Sequence, residues 1–155
     1  MSQKYILFCG AGAALGSLAA IMACAKTEGR PVLAPVSASS HWLHGGDAIR
    51  HGDPDLSHTG LGAATNIAAG CMWGGLLGAH LQGTSPASRD IIKDGVVMGA
   101  IAGVLDYGLL PRRLSPGWEL ALSDRSVVLS MAAMAGGAIL GGLTARAFDA
   151  SARRS

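Results

Sequence analysis

Residue types suited to chemistry are concentrated in one polar stretch, SHWLHGGDAIRHGDPDLSHTG, which covers residues 40–60. It contains four of the five histidines of the chain together with three aspartates: His41, His44, His51, His58, Asp47, Asp53 and Asp55. Imidazole nitrogens and carboxylate oxygens bind zinc and copper, and histidines three apart share one face of a helix. A metal site in this loop is therefore the first hypothesis.

The same stretch contains residues that interrupt a helix. Glycines and a proline lie between the histidines, so that no single helix presents all four, and no HExxH motif is present. The pattern favours a short helix at the membrane interface, over about residues 39–50, with Trp42, Leu43 and Ile49 at the lipid boundary and the histidines at the headgroups. We expect no metal and no cofactor here; a metal-handling protein that uses residues 41–58 is kept as an alternative.

A second polar hairpin, PRRLSPGWELALSDRS, covers residues 111–126. Arg112 and Arg113 are predicted to be anchors or contacts to anionic lipid, and Trp118 fits the aromatic belt of a membrane protein. Ser115 followed by proline predicts the start of a short surface helix. A nucleophile needs a base beside it, and the sequence identifies none for Ser115, so that we predict no catalytic residue and no enzyme activity.

The composition of the chain indicates the setting of these hairpins. Half of the 155 residues are apolar and only 14% are charged, against about a quarter in soluble domains. The 23 glycines lie inside apolar runs, as is common where helices meet in lipid. A net charge of +2 gives no reason to expect nucleic acid. The composition therefore predicts a membrane protein, and the partners expected are the lipid bilayer and other membrane-protein subunits or further copies of the chain.

Four apolar runs approach the roughly 20 residues that cross a bilayer: about residues 5–25, 60–81, 92–110 and 126–147. Thr59 and the pair Ser123-Asp124 are predicted helix N-caps, and Pro111 is expected to stop the third helix. Short connections favour an up-down arrangement. The predicted fold is all-α: one transmembrane domain over residues 1–155, a four-helix antiparallel bundle with short interfacial helices in the first and third loops.

Glycines four residues apart recur in every predicted span. Such pairs share a helix face and let a neighbouring backbone approach closely, so that they predict helix packing rather than chemistry. The residues are Gly12, Gly16, Gly70, Gly74, Gly78, Gly99, Gly103, Gly137 and Gly141.

Three polar residues lie inside the spans at a similar depth below the end that carries both hairpins. Asp106, Asn66 and Ser130 are each about four to six residues from a helix end, which places them roughly 5–10 Å below that surface. An ionisable group at such a depth is a candidate for function. The favoured interpretation is a structural one, in which Asp106 pairs with Arg112 or Arg113 above it. His80 is expected at the opposite interface.

The distribution of positive charges does not favour either orientation of the chain in the membrane. The twelve Lys and Arg residues divide six to six between the two sides, which leaves the positive-inside rule tied. Three of one set lie in the long, acid-containing first loop, so that both termini are predicted to be cytoplasmic. The stretch that ends Ile-Met-Ala-Cys24 is similar to a lipoprotein signal, but an uncleaved first helix is the preferred interpretation.

The motifs SHWLHG, LSHTGLG and LDYGLLPRRLSPGWELALS resemble those of an uncharacterised family of small four-span bacterial inner-membrane proteins. The resemblance covers roughly residues 38–142. Relatives often have an aromatic residue where His44 stands and a histidine near Asn66, which weakens the case for an obligatory metal site. The resemblance implies a fold and an inner-membrane location, and no activity.

The function predicted from these observations is that of a non-enzymatic accessory or structural subunit in a bacterial inner membrane. Two alternatives remain at this stage. The first is a small oligomeric transporter or channel with Asp106 and Asn66 in its path, and the second is the metal-handling protein described above.

Overall fold

The computed structural model describes residues 3–50 and 54–152, apart from the side chain of Arg50. Within these ranges the chain is helical and has no β-strand, so that the all-α prediction is confirmed. Four helices are long: α1 (Lys4–Thr27), α5 (Leu61–Leu81), α6 (Ser88–Val104) and α7 (Asp124–Ala152). Three short helices follow α1: α2 (Ala34–Ala38), α3 (His41–His44) and α4 (Asp47–Arg50).

Two of the long helices are extended by π-helical turns. The turn Leu56–Gly60 leads directly into α5, and the turn Leu105–Leu109 continues α6 for five residues before the chain leaves the helix and reaches Pro111. The predicted cap at Thr59 is wrong. Asp55 caps the first turn instead, because its carboxylate accepts the backbone N–H groups of His58 and Thr59.

Among the described residues, two helices, α1 and α7, are long and apolar enough to cross a membrane. The helical segment of α6 alone has 17 residues. Helix α5 has 21 residues, among them five glycines, Asn66 and His80.

Helix α1 packs between α5 and α7 with backbone against backbone. A Cβ on Gly12 would overlap the carbonyl oxygen of Gly137, and a Cβ on Gly16 would stand 2.5 Å from that of Ala133, so that α1 and α7 run antiparallel. On the other side, a Cβ on Gly70 would lie 2.6 Å from the Cα of Ala14. Gly74, Gly78 and Gly141 face carbonyl groups of α1 in the same way. The glycines allow this approach, which side chains would prevent.

The distance between α6 and α7 increases towards the C-terminal end of α6. A Cβ on Gly95 would overlap the side chain of Ile139, and one on Gly99 would stand 2.6 Å from the Cβ of Ala135. At Gly103 the nearest neighbour is the Met131 Cε atom at 3.9 Å. Gly103 is therefore not a position of tight helix packing, in contrast to the other glycine positions predicted from the sequence.

The single interfacial helix expected over about residues 39–50 is broken into pieces. Helix α3 ends at His44 and is followed by Gly45, whose φ of 58° lies in the left-handed region that favours glycine; α4 begins at Asp47. Trp42, Leu43 and Ile49 are exposed. In the second hairpin only short 3₁₀ turns form, at Arg112–Leu114 and Trp118–Leu120, so that the helix predicted to start after Ser115 is absent from this part of the described chain.

Candidate functional site

A buried hydrogen-bonded chain lies beneath the two polar hairpins and centres on Asn66. The Asn66 amide nitrogen donates to the hydroxyl of Ser39 at 2.7 Å, and its amide oxygen accepts the indole N–H of Trp118 at 3.1 Å. Asn66 is 4% exposed and Trp118 is 3% exposed. One side chain in α5 thus ties both hairpins to the helices, with the donor and acceptor of the amide each used.

Trp118 therefore does not belong to an aromatic belt, and that prediction is wrong. Gly117, the residue that precedes Trp118, has a φ of 82°, which lies in the left-handed region. The chain turns inward at this glycine, and the indole of Trp118 is directed into the protein. Sequence alone does not distinguish a tryptophan at an interface from one that reaches a buried acceptor, since both environments suit an apolar ring with one polar end.

Asp106 lies in the π-helical turn that ends α6, and its carboxylate accepts the indole N–H of Trp73 at 3.2 Å. Both residues are 8% exposed. No ion pair joins Asp106 to Arg112 or Arg113 anywhere in residues 3–50 and 54–152. The predicted arginine staple is therefore wrong: the partner is a tryptophan from α5, which the spacing of the sequence did not indicate.

Asp106 and Asn66 line the same cavity of about 20 Å³, together with Ser39, Trp73 and Trp118. A cavity needs roughly 10–15 Å³ to hold a water molecule, so that one water fits beside the carboxylate. The structure thus brings together two of the five members of the predicted polar cluster. Ser130 is not joined to them, because its hydroxyl donates to the carbonyl of Ser126 in its own helix at 2.8 Å.

The two arginines of the cluster lie at the surface, where they join the hairpins. Arg113 donates its Nε to the carbonyl of Trp42 at 3.1 Å. His41 reaches the carbonyl of Arg112 with Nε2 at 3.0 Å and that of Ala38 with Nδ1 at 3.1 Å. A neutral imidazole carries one N–H and can donate to only one of these carbonyls at a time.

The other described histidines of the first loop, His44 and His58, form a separate small group. The rings of His44 and His58 are 4.3 Å apart, and His58 is buried, with its Nδ1 at 2.8 Å from Asp55. Hydrogen bonds from the side chain and backbone of His58 lower the pKa of Asp55 to about 2. In the ranges 3–50 and 54–152 no three His, Cys, Asp or Glu residues could hold a metal ion; His51 and Asp53 lie outside the described residues.

Glu28 performs a positioning role that the sequence reasoning missed. Its carboxylate accepts the hydroxyl groups of Ser123 and Ser126, each at 2.6 Å, at the start of α7. These bonds lower the pKa of Glu28, with that to Ser123 the largest cause. Glu28 follows the end of α1 and caps the start of α7, almost a hundred residues later in the chain. No local sequence motif indicates such a contact.

Ion pairs lie at the opposite end of the protein. His80 is exposed there and its Nε2 lies 3.3 Å from Asp94. Lys4 pairs with Asp149 at 3.2 Å between the ends of α1 and α7. Exposed ion pairs of this kind contribute little to stability.

Comparison of the chain with protein-family models, curated proteins and solved structures found no significant match.

Proposed function

We propose that the chain is a four-span membrane protein whose long helices form an antiparallel transmembrane bundle, and that it acts as a non-enzymatic accessory or structural subunit. The observation that carries the proposal is the outward face of all four long helices. Large apolar side chains there are at least 45% exposed: Leu7, Leu15, Ile67, Met72, Leu76, Val96, Val97, Ile101, Val128, Leu129 and Leu140. Apolar surface of this extent suits lipid or a protein partner and is unfavourable in water.

The interior supports the same proposal. Helices α1, α5 and α7 meet through glycine and alanine rather than through large side chains, which is the packing that lipid-embedded helices use. Helix α6 and its π-helical turn together cover Ser88–Leu109, about 33 Å at 1.5 Å per residue, and a hydrocarbon core is about 30 Å thick.

The subunit role follows from how little space the helices leave. The cavity beside Asp106 has room for one water and not for a solute path. A protein with so tight a core and so apolar an outer face is suited to bind neighbours in the membrane. We expect a larger complex or a homo-oligomer when the protein is purified in mild detergent.

Accessibility of two engineered cysteines tests the four-span arrangement. In a background with Cys9, Cys24 and Cys71 replaced by alanine, Ser85→Cys and Leu114→Cys each receive an impermeant maleimide in sealed vesicles. Four spans place these loops on opposite sides of the membrane, so that each cysteine is labelled from a different side. If only α1 and α7 crossed, both would be labelled from the same side, and the proposal would be wrong.

A small oligomeric transporter or channel is the second candidate, favoured by one observation: Asp106 and Asn66 line one cavity with room for a water. A buried carboxylate that contacts water is a common element of proton and ion paths. Paired stability and complementation assays of Asp106→Asn and Asp106→Leu separate this role from a structural one.

A further inference from the structure

Two depressions meet at the hairpin end of α6 and α7. The first, the headgroup pocket, has a volume of about 630 Å³ and is lined by residues that include His41, Arg112, Arg113, Glu119 and Asp124. The second, the acyl groove, has a volume of about 450 Å³ and runs between α6 and α7. Glu119 and Asp124 line both, so that the polar pocket and the apolar groove are continuous.

The acyl groove exists because α6 leans away from α7 at Gly103. It is lined by Gly103, Val104, Val128 and Met131, and the two valines are 59% and 67% exposed. A continuous apolar trough of this kind on a transmembrane surface accommodates a hydrocarbon chain, which fills it without any requirement for hydrogen bonds.

The headgroup pocket carries charges of both signs. Two guanidinium groups face it together with two carboxylates. Arg113 is held through Nε on the Trp42 carbonyl, which leaves its terminal nitrogens available, and the guanidinium of Arg112 has no hydrogen bond or ion pair within the described part of the chain. Glu119 accepts the hydroxyl of Ser115 but has no cation beside it among the described residues. An anionic headgroup would leave both carboxylates without a cation, whereas one that carries a phosphate and an ammonium group matches both signs.

Two buried polar atoms on the lining point to the same occupant. The hydroxyl of Tyr107 and Oε2 of Glu119 have no hydrogen-bond partner in residues 3–50 and 54–152. Each such atom costs free energy unless a ligand or water satisfies it. Both atoms are closed off from solvent, so that a ligand reaches them only when the side chains of Tyr107 and Glu119 rotate towards the pocket; an ester carbonyl then accepts from the tyrosine, and an ammonium group donates to the glutamate.

We propose that this site binds one phospholipid with a phosphoethanolamine headgroup. The phosphate lies on Arg112 and Arg113, the ammonium group lies on Glu119 and Asp124, and one acyl chain follows the groove between α6 and α7. The inference rests on the proposed membrane location, and it names a lipid that the subunit retains.

Native mass spectrometry of the full chain, stripped of lipid in mild detergent, tests the inference. Dioleoyl phosphatidylethanolamine and dioleoyl phosphatidylglycerol are added at matched concentrations. We expect the ethanolamine lipid to bind roughly tenfold more tightly, and the double variant Arg112→Gln/Arg113→Gln to lose about tenfold in that affinity. Arg89→Gln, at the other end of the protein, serves as the matched control and should bind as the parent does.

Two further variants make the test specific. Glu119→Gln should weaken binding of the ethanolamine lipid and strengthen binding of the glycerol lipid, because it removes the group that pairs with the ammonium and repels an anion. Val128→Trp fills the acyl groove and should reduce binding of both lipids, whereas Leu140→Trp, exposed elsewhere on α7, should not. Thermal aggregation midpoints without lipid show whether each variant is folded.

Equal affinity for the two lipids, unchanged in the Arg112/Arg113 and Val128 variants, would overturn the inference. The cysteine labelling is independent of lipid affinity. Opposite-side labelling with no lipid preference removes this inference alone, whereas same-side labelling removes the four-span arrangement as well.

Discussion

The indole nitrogen of Trp118 donates to the side-chain oxygen of Asn66 at 3.1 Å, and this bond joins the second hairpin to the interior of α5. Because Asn66 also donates to Ser39, the amide connects both hairpins to one point in the helical core. The hairpins are therefore held by a specific polar contact in addition to their apolar burial.

Trp118→Phe should lower the free energy of unfolding by about 1–3 kcal/mol, because it leaves the buried Asn66 oxygen without its donor. Trp42→Phe is the matched control, since the Trp42 indole donates to Thr65 at 3.2 Å but the residue is 39% exposed and water can replace the bond. Titration with SDS in mixed micelles measures the free energy of unfolding of both variants. Equal losses at the two positions would contradict a special role for Asn66.

Asp106→Asn should fold and lose ~1 kcal/mol or somewhat more, because one acceptor oxygen for Trp73 remains. Asp106→Leu should be less stable, since the buried indole N–H then has no acceptor. In a double-mutant cycle, Trp73→Phe should cost little once Asp106 is leucine. A complementation assay beside the unfolding measurement completes the test: an Asn variant that is stable but inactive would identify Asp106 as an active group and support the transporter.

Gly136→Ala and Gly137→Ala should change stability in opposite directions although they are neighbours in α7. A Cβ on Gly136 meets nothing within 4 Å, and alanine favours a helix over glycine by roughly 0.5–1 kcal/mol. A Cβ on Gly137 overlaps the carbonyl of Gly12, so that α1 and α7 must separate, at a cost of about 1–3 kcal/mol. Unfolding in mixed micelles measures the change in the free energy of unfolding for each variant. A change of the same sign in both would mean that the α1–α7 interface adapts freely.

Asp55 should contribute to stability in a way that depends on pH. Its folded pKa of about 2 lies below its unfolded value of about 3.9, so that the contribution is fully present above about pH 4 and is lost as the pH falls towards 2. The stability difference between the parent and Asp55→Asn should therefore shrink across this window. Thermal midpoints of the two proteins from pH 6 to pH 2 give the measurement. A constant difference would show that Asp55 acts only as a neutral acceptor.

The sequence by itself determined where the long helices lie. The apolar runs at about 5–25, 60–81, 92–110 and 126–147 match the four long helical segments within a few residues, because hydropathy and breakers such as Pro111 are local properties. Glycine spacing also indicated close backbone contact in α1, α5 and α7. That signal is local too, since residues four apart share a helix face in any helix.

Tertiary structure alone decided which polar groups meet. Large apolar residues lie on more than one side of each of these helices, so that no single hydrophobic face in the sequence fixes how each one is rotated or which side chain points inward. Asp106 consequently has Trp73 as its partner and not Arg112, and Trp118 lies inside and not at the surface. Glu28 meets Ser123 across ninety-five positions for the same reason: such contacts depend on the path of the loops and the packing of whole helices, which no local pattern encodes.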